Sequence, residues 1–572
     1  MEQQRVFLAI ALSLGVLFAW QYLFTPPPEA PEKGVGADAG QAPGQQAPGD
    51  QSPGGARPDG AQVPGDAGTP GQPAAPQRVI ALAEDLVLTS ANFRATFTNK
   101  GGRLKHFEIL KPDQYAPRGD LIKPRPVDEE TPVGETWLKY LPFGMVGSGA
   151  LPNLSEETMY EVASKTDQGV VFRHEVAGAY ALEKRFVLDK ASPNGFRFEV
   201  SIENKSTLQL TDHLKVRLYG YEHHEDGEWS LFDPMPDIVE ALCHVDGDDE
   251  RAARADAEEG VKVDGPAIWG GIDSRYFLMA LLADPKGADQ AEGAGALASC
   301  HFSLHEGEFL RSELGLGGFT LAPGERRSWQ FGTYLGPKLV ETLETYGVQL
   351  EESVDYGIFA FLCKPIRWLL ILFQGWVGNW GVAIILLTFF LRMLTFPINH
   401  SAYKNMEGMR RIQEPMTALR EKYKDDPMKQ QELMMKLYKD EGVSPLGCVP
   451  QLLQIPIFFA LYTTIYSSVE IYHAGFVGWY TDLSAPDPYF VLPVLVTLVM
   501  TGQQFMMPQT TTNPQMKIVM WVMPIMFGVF TFVLPSGLGL YMLVSIGLGI
   551  TQQYFIRKSF EKKQQQQQAA AA

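Results

Sequence analysis

Long apolar runs lie near the start of the chain and again in its last third, whereas the middle alternates apolar and polar positions. The runs cover residues 6–24, 380–397, 444–468, 490–507, 517–534 and 536–556. Runs of about 18 or more mainly apolar residues are long enough to cross a bilayer. The pattern therefore predicts six membrane spans, of which the last five form a helical core over 377–556.

The middle of the chain, residues 78–350, has the period-two alternation of half-buried strands. The clearest examples are FRATFTN, GVVFRHEV, ALEKRFVLD and FRFEVSIEN. Gly, Asn, Asp and Pro clusters separate these segments, as in Asn99-Lys100-Gly101-Gly102. Many short strands with such turns predict a large antiparallel sandwich, followed by a helix near Lys338–Tyr346.

Two connecting segments join these parts. Residues 25–77 are rich in Pro and Gly and lack the apolar residues that could offset ordering entropy, so they are predicted to be a flexible linker after the uncleaved anchor 1–24. Residues 356–376 are apolar, but Lys364, Arg367 and Gln374 project to one side. We predict an amphipathic helix lying in the membrane interface, and the alternative is an additional span.

The charge distribution sets the predicted orientation. The net charge of −18 argues against a nucleic-acid partner, which needs clustered Lys and Arg. Loop 399–441 holds nine Lys and Arg residues, loop 470–489 holds none, and the tail 557–572 is basic at its start. By the positive-inside rule, loop 399–441 and both termini are cytoplasmic, and residues 78–350 lie across the membrane in an oxidising compartment.

The β-region offers few candidates for chemistry. Cys243 and Cys300 each precede a His, but the spacing does not fit a zinc site, so a disulfide and two free thiols remain as alternatives. The polar stretch 223–228 and the charged run Asp246 to Glu259 are predicted to be solvated surface. The sequence shows no nucleophile elbow, phosphate loop or metal-ligand spacing, so neither a catalytic residue nor a cofactor is expected.

Arg392 is the most informative single residue. It lies in the run WGVAIILLTFFLRMLTFP, about 18 Å from the Trp380 end at about 1.5 Å per residue, near the middle of a core about 30 Å thick. A lone Arg at that depth costs about 2.5–3.5 kcal/mol, and no acidic residue of the run neutralises it. Thr388, Thr395 and Asn399 share its helical face, which therefore faces water or polar groups.

Polar residues also align at helical spacing on three other spans. They are Gln451 and Gln454 with Tyr462; Thr497, Thr501 and Gln504; and Tyr541, Ser545 and Gln552. Each set could join helices by hydrogen bonds, which is the commoner use of such residues. Together with Arg392, the sets favour a shared hydrophilic cavity.

Loop 399–441 has its own helical periodicity, interrupted by the turn Lys424-Asp425-Asp426-Pro427. It is predicted to be an antiparallel helical hairpin. The candidate contact residues are Met406, Met409, Met416 and Met434. They could form a soft binding surface or only hold the two helices together.

These segments resemble the YidC membrane-protein insertases in their Gram-negative form. The matching stretches are GNWGVAIILLTFFLRMLTFPI, MEGMRRIQEPMTALREKY, SPLGCVPQLLQIPIFFALY and MPIMFGVFTFVLPSGLGLYMLVS. The resemblance implies a periplasmic β-supersandwich and insertion of inner-membrane proteins, alone or with the Sec translocon, without catalysis. It places the groove at Arg392 and Thr388, and Tyr541-Met542 replaces an aromatic pair common in the family.

The implied partners are nascent membrane proteins, Sec translocon components, a ribosome or targeting receptor, and the lipid bilayer of the inner membrane. The Gln- and Ala-rich tail does not match the long basic tails with which some relatives bind ribosomes. The main alternative is a transporter or channel in which Arg392 binds an anion. An anchored carbohydrate-active enzyme is a third hypothesis, and it leaves Arg392 and the hairpin without a role.

Overall fold

The computed structural model describes residues 85–112, 114–115, 120–123, 135–190, 192–222, 239–283, 297–444, 454–505 and 514–571. The predicted anchor 1–24, the linker 25–77, the stretch 223–228 and Gln451 lie outside these residues. Residues 80–572 form one compact unit.

The described part of the middle region is built of antiparallel strands. They are β1 Leu86–Thr89, β2 Phe93–Thr98, β3 Arg103–Ile109, β4 Gly144–Val146, β5 Glu161–Thr166, β6 Gly169–Val176, β7 Tyr180–Leu188, β8 Phe196–Asn204, β9 Leu210–Tyr221, β10 Val239–Val245, β11 Asp248–Ala252, β12 Val261–Ser274, β13 Phe277–Ala283, β14 Leu297–His305, β15 Phe309–Leu321 and β16 Arg326–Pro337. The large all-β domain is therefore confirmed.

The strands form two sheets. β1, β2 and β3 make a three-stranded sheet, and a 13-stranded sheet follows the path β4-β9-β15-β14-β12-β13-β16-β8-β7-β6-β5, with β10 pairing β11 and β12. Alternation decides which side of a strand is buried: in β8, Phe196, Phe198, Val200 and Ile202 are fully buried. These side chains meet Phe186 in one aromatic core, where rings lie in stacked and edge-on contacts.

The helices, in chain order, are α1 Arg254–Glu259, α2 Val340–Glu344, α3 Ala360–Val377, α4 Trp380–Leu394, α5 Phe396–Arg411, α6 Gln413–Lys422, α7 Pro427–Asp440, α8 Gln454–Ser467, α9 Val491–Gln504, α10 Pro514–Phe530 and α11 Ser536–Ala571. Local sequence fixes several ends. Gly378 ends α3 in the left-handed region at φ 67°, and Asn379 caps α4 by accepting a hydrogen bond from the Val382 amide at 3.0 Å. Asp426 caps α7 through the Lys429 amide.

The predicted count of six spans is not confirmed in the described residues. By length and composition, only the helix Gly357–Val377 qualifies alone there, and α4 and α5 qualify as a bent pair. The helix α9 has 14 residues, about 21 Å at 1.5 Å per residue, which is shorter than the hydrocarbon core of about 30 Å. The helices α4, α9 and α10 are shorter than the apolar runs in which they form, whereas α11, with 36 residues, extends beyond its run.

The expectation of one straight helix through Arg392 to Asn399 is wrong. α4 and α5 meet at an angle of 66° beside Thr395. Pro397 explains the break, because proline lacks the amide hydrogen and clashes with the carbonyl four residues earlier. Asn399 therefore belongs to the next helix, where its side-chain amide donates to the Thr395 hydroxyl at 3.1 Å.

The charged run after Asp246 is also more ordered than expected. Residues 248–252 form β11, which pairs with β10, and residues 254–259 form α1. Of the two alternatives for the cysteines, the structure has the disulfide Cys243–Cys300, with Cα atoms 6.5 Å apart. It joins β10 to β14, two strands that both pair with β12.

Candidate functional site

The candidate site is centred on Arg392, in the last turn of α4. Its Nε and Nη2 donate to the Ser545 hydroxyl of α11 at 3.0 and 2.7 Å. The side chain is only partly buried. Within the described part of the chain, Arg392 forms no ion pair with a carboxylate. The guanidinium therefore has a neutral partner and keeps donors available for an anionic group.

A second polar contact lies one turn along α11. The Gln454 side-chain amide of α8 donates to the Tyr541 hydroxyl at 3.3 Å. Tyr541 and the neighbouring Met542 are both buried. Three helices that are distant in sequence, α4, α8 and α11, thus contribute Arg392, Gln454, Tyr541 and Ser545 to one polar cluster.

Sequence reasoning missed two residues beside this polar cluster, Tyr403 and Gly549. A Cβ added to Gly549 would lie 3.0 Å from the Tyr403 hydroxyl and 3.6 Å from Arg392 Nη1. The missing side chain lets both groups lie close to the backbone of α11. A glycine one helical turn after Ser545 was the available signal in the sequence.

The other candidate residues do not join this cluster directly. The Thr388 side chain is 1% exposed and donates to the Ile384 carbonyl of its own helix at 2.7 Å. Thr395 likewise donates to Leu391. Such bonds satisfy a hydroxyl inside an apolar helix, and a groove role for these two residues stays a prediction.

The candidate residues of α9 form hydrogen bonds within their own helix. Thr501 donates to the Thr497 carbonyl at 2.7 Å, and Thr497 donates to Pro493. A Cβ on Gly528 of α10 would overlap the Thr497 hydroxyl, so these helices pack closely there. This contact is the helix-packing use of a small polar residue. Gln504 and Gln552 are half-buried, and Gln552 donates to the Phe396 carbonyl at 3.3 Å.

The predicted hairpin is formed by α6 and α7, with α5 leading into it. Met416 is buried and its sulfur accepts from the Tyr438 hydroxyl at 3.3 Å, so this residue holds the two helices together. Met406, Met409 and Met434 are half-buried. The exposed methionines are Met428 and Met435, at 81% and 56%. The base is closed by reciprocal bonds between Asn405 and Ser444.

One group of side chains has the composition of a metal site. His244, Asp249 and Glu352 bring potential ligand atoms within 4.8 Å of one another. His244 Nδ1, however, already bonds Asp249 at 2.7 Å, and the other Asp249 oxygen lies 3.2 Å from Arg251. A fixed guanidinium on a ligand carboxylate opposes cation binding, so the group is an ion-pair cluster.

The described residues combine a large all-β domain with a bundle of apolar helices around Arg392, which is the architecture of a class of inner-membrane proteins. Residues 86–369 match the model of the YidC periplasmic domain, and residues 372–564 match that of the 60Kd inner membrane protein. The chain belongs to the YidC membrane protein insertase family, whose members are non-enzymatic. The β-domain is accordingly periplasmic.

Two relatives illustrate the match. The membrane protein insertase YidC of Pelobacter propionicus is 30% identical over 97% of this chain and 99% of its own length. That of Geobacter sulfurreducens is 38% identical over 53% of this chain and 56% of its own length. Among solved structures, an active YidC insertase with its first transmembrane domain resolved covers 83% of this chain and 94% of its own, at 19% identity and a TM-score of 0.35.

Proposed function

We propose that this protein inserts membrane proteins through a hydrophilic groove in which Arg392 captures the acidic or polar flank of an arriving segment. One observation carries the proposal: the guanidinium is partly exposed, and its described side-chain partner is the neutral Ser545 hydroxyl. A cation held this way can exchange a weak partner for a carboxylate at little cost.

The surface of α4 supports the second half of the mechanism. Phe389, Phe390, Met393 and Leu394 are 43–65% exposed beside Arg392. These apolar side chains can contact lipid or the apolar part of a substrate. A segment whose flank is held at Arg392 would then pass along them into the bilayer, driven by its own hydrophobic partition. No bond is made or broken in this sequence of steps.

The proposed groove is lined by residues of α4, α8, α9 and α11, by Thr395 and by Gln451. It comprises Arg392, Thr388, Thr395, Gln451, Gln454, Thr497, Thr501, Gln504, Tyr541, Met542 and Ser545. Among them, Gln454, Tyr541 and Ser545 form hydrogen bonds within the polar cluster, which supports their place in the groove. We further propose six spans with both termini in the cytoplasm.

The test changes the charge at position 392 and the charge of the substrate tail. Arg392→Ala should lower the insertion rate of a one-span substrate with an acidic translocated tail at least tenfold, about 1.4 kcal/mol. Arg392→Lys should retain most of the rate, because the charge remains. With the tail carboxylates changed to amides, Arg392→Ala should have little effect. Equal loss with both substrates would exclude electrostatic capture.

The hairpin is proposed as the receiving surface for nascent chains and for a targeting receptor or ribosome, with the Sec translocon as a further partner. The exposed Met428 and Met435 support this role, since methionine adapts to varied apolar sequences. Replacing residues 405–438 with a short linker should preserve the folded core and abolish insertion. Insertion at the normal rate would reduce the hairpin to a connector.

A further inference from the structure

The predicted amphipathic pattern required Arg367 of α3 to face solvent, but in the structure it does not. Its side chain is only 11% exposed and makes ion pairs in two directions. One partner is Glu341 of α2, in the β-domain, with both oxygens at 3.0 Å from Nη2. The other is Glu470, in the segment that follows α8.

The negative charges of Glu341 and Glu470 complement the positive charge of the Arg367 guanidinium. Partial burial would raise the pKa of Glu341, but the hydrogen bond from Arg367 outweighs it and holds that pKa below its ordinary value. Glu470 is buried and has the shorter contact. Removing Arg367 would leave this carboxylate buried without its cation, which is strongly unfavourable.

The same segment after α8 is held by the β-domain at other points. Gln114 donates to the carbonyls of Glu470 and Tyr472, both at 2.7 Å. Arg275 Nε donates to the Tyr466 carbonyl at 3.0 Å, and its guanidinium lies 3.5 Å from the centre of the Tyr466 ring. The end of α8 is thus fixed to the periplasmic domain, and Arg367 adds α3 to this junction.

α3 also packs along α8 toward the groove. The Cys363 thiol lies 3.4 Å from the Ala460 carbonyl, and the Phe359 and Phe459 rings are stacked with centroids 6.2 Å apart. α8 then supplies Gln454 to the polar cluster. A continuous set of contacts therefore runs from Glu341 through Arg367 and α8 to the groove.

We infer that Arg367 is a positioning residue for insertion: it fixes α3 and the outer end of α8 to the periplasmic domain, and so sets the position of one groove wall. This inference rests on the proposed groove function. The periplasmic domain thereby contributes to insertion without contacting the substrate. Coupling of this kind is expected where charged contacts join two rigid elements at a small interface.

The test compares Arg367→Ala with Lys364→Ala, since Lys364 lies one turn earlier on α3, is exposed and forms no bond with the described residues. Spin labels at Thr320→Cys and Phe361→Cys, in a Cys363→Ala and Cys448→Ala background, report the position of α3 relative to the β-domain. Arg367→Ala should broaden that distance distribution and slow insertion at least fivefold. Lys364→Ala should change neither.

A paired exchange separates positioning from folding. Arg367→Glu alone should be defective. Arg367→Glu with Glu470→Arg, and with Glu341→Gln to remove the second carboxylate beside position 367, should recover at least half of the insertion rate and the narrow distribution. If Arg367→Ala does not accumulate in cells, the exchanged protein provides the test. The inference is overturned if the exchanged protein is as defective as Arg367→Glu alone. Slow insertion with an unchanged narrow distribution overturns it as well.

Arg392→Ala keeps the two proposals distinguishable. It should slow insertion and leave the label distribution narrow. If Arg392→Ala inserts normally while Arg367→Ala is slow and broadened, the groove proposal fails and the positioning role stands. If Arg367→Ala inserts within twofold of the parent protein while Arg392→Ala is slow, the positioning role fails alone.

Discussion

Lys184 of the β-domain and Arg392 of the helical core are bonded in opposite ways. In the β-domain, Lys184 is fully buried and donates to the carbonyls of Gly101, Gly102 and Phe143 at 2.5–3.0 Å. In the core, Arg392 donates to a single neutral hydroxyl. A charge that is fully bonded specifies structure, whereas a charge with a weak partner remains available for binding.

Asp212 of the β-domain is, like Lys184, bonded to several groups of the protein. Asp212 accepts from the amides of Ser148, Ala150, Leu151 and His213 and from the Ser148 hydroxyl. Burial alone would raise the pKa of Asp212, but these hydrogen bonds hold it below its ordinary value. Asp212 is therefore a second charge of the β-domain whose bonding specifies structure.

The largest expected effect concerns the covalent link of the β-domain. The disulfide Cys243–Cys300 closes a segment with a sequence separation of 57. Changing both residues to Ala should lower the free energy of unfolding of this domain by about 4 kcal/mol in the chain-entropy description. Denaturant unfolding monitored by circular dichroism measures it, with the reduced parent protein as control. A loss below about 1 kcal/mol would show that strand pairing alone fixes β10 and β14.

Lys184→Met should destabilise the β-domain by about 3 kcal/mol, because three buried carbonyls lose their donor. Burial and the nearby Arg103 hold the pKa of Lys184 well below its ordinary value. Lys165→Met, at an exposed position of β5, is the matched control and should change stability little. Similar unfolding midpoints for both variants would contradict the comparison.

Asp212→Asn should cost roughly 1–2 kcal/mol at neutral pH and much less in acid. The folded-state pKa of Asp212 is lowered from an ordinary value of 3.8, so its stabilisation is complete above that value and is lost as the pH falls through the folded pKa. The difference in unfolding free energy between the parent and the variant should therefore shrink as the pH falls through the folded pKa of Asp212. A constant difference between pH 7 and pH 2 would contradict this assignment.

The smallest effect on stability is expected at the groove. Arg392→Met should change the thermal stability of the detergent-solubilised core by less than about 1 kcal/mol, since both lost hydrogen bonds go to the single Ser545 hydroxyl and the cost of a charge without an acidic partner is removed. Insertion should fall in the same variant. A large destabilisation would place Arg392 with Lys184, as a structural charge.

Much of this architecture follows from the sequence because it depends on local patterns. The alternation in FRFEVSIEN and GVVFRHEV places β8 and β6, and the apolar run around Arg392 marks that charge as a candidate site. The Gly378-Asn379 pair places the break between α3 and α4. These features need only the residues within one or two turns or strands.

Partners that lie far apart in the chain were decided by the tertiary structure. Arg392 meets Ser545 across 153 positions, and Arg367 meets Glu470 across 103. Helical periodicity placed Arg367 on a polar face, which is correct, but it could not say that this face is covered by two carboxylates from other elements. Periodicity reports which side of an element is polar, and only packing determines whether water or a fixed partner occupies that side.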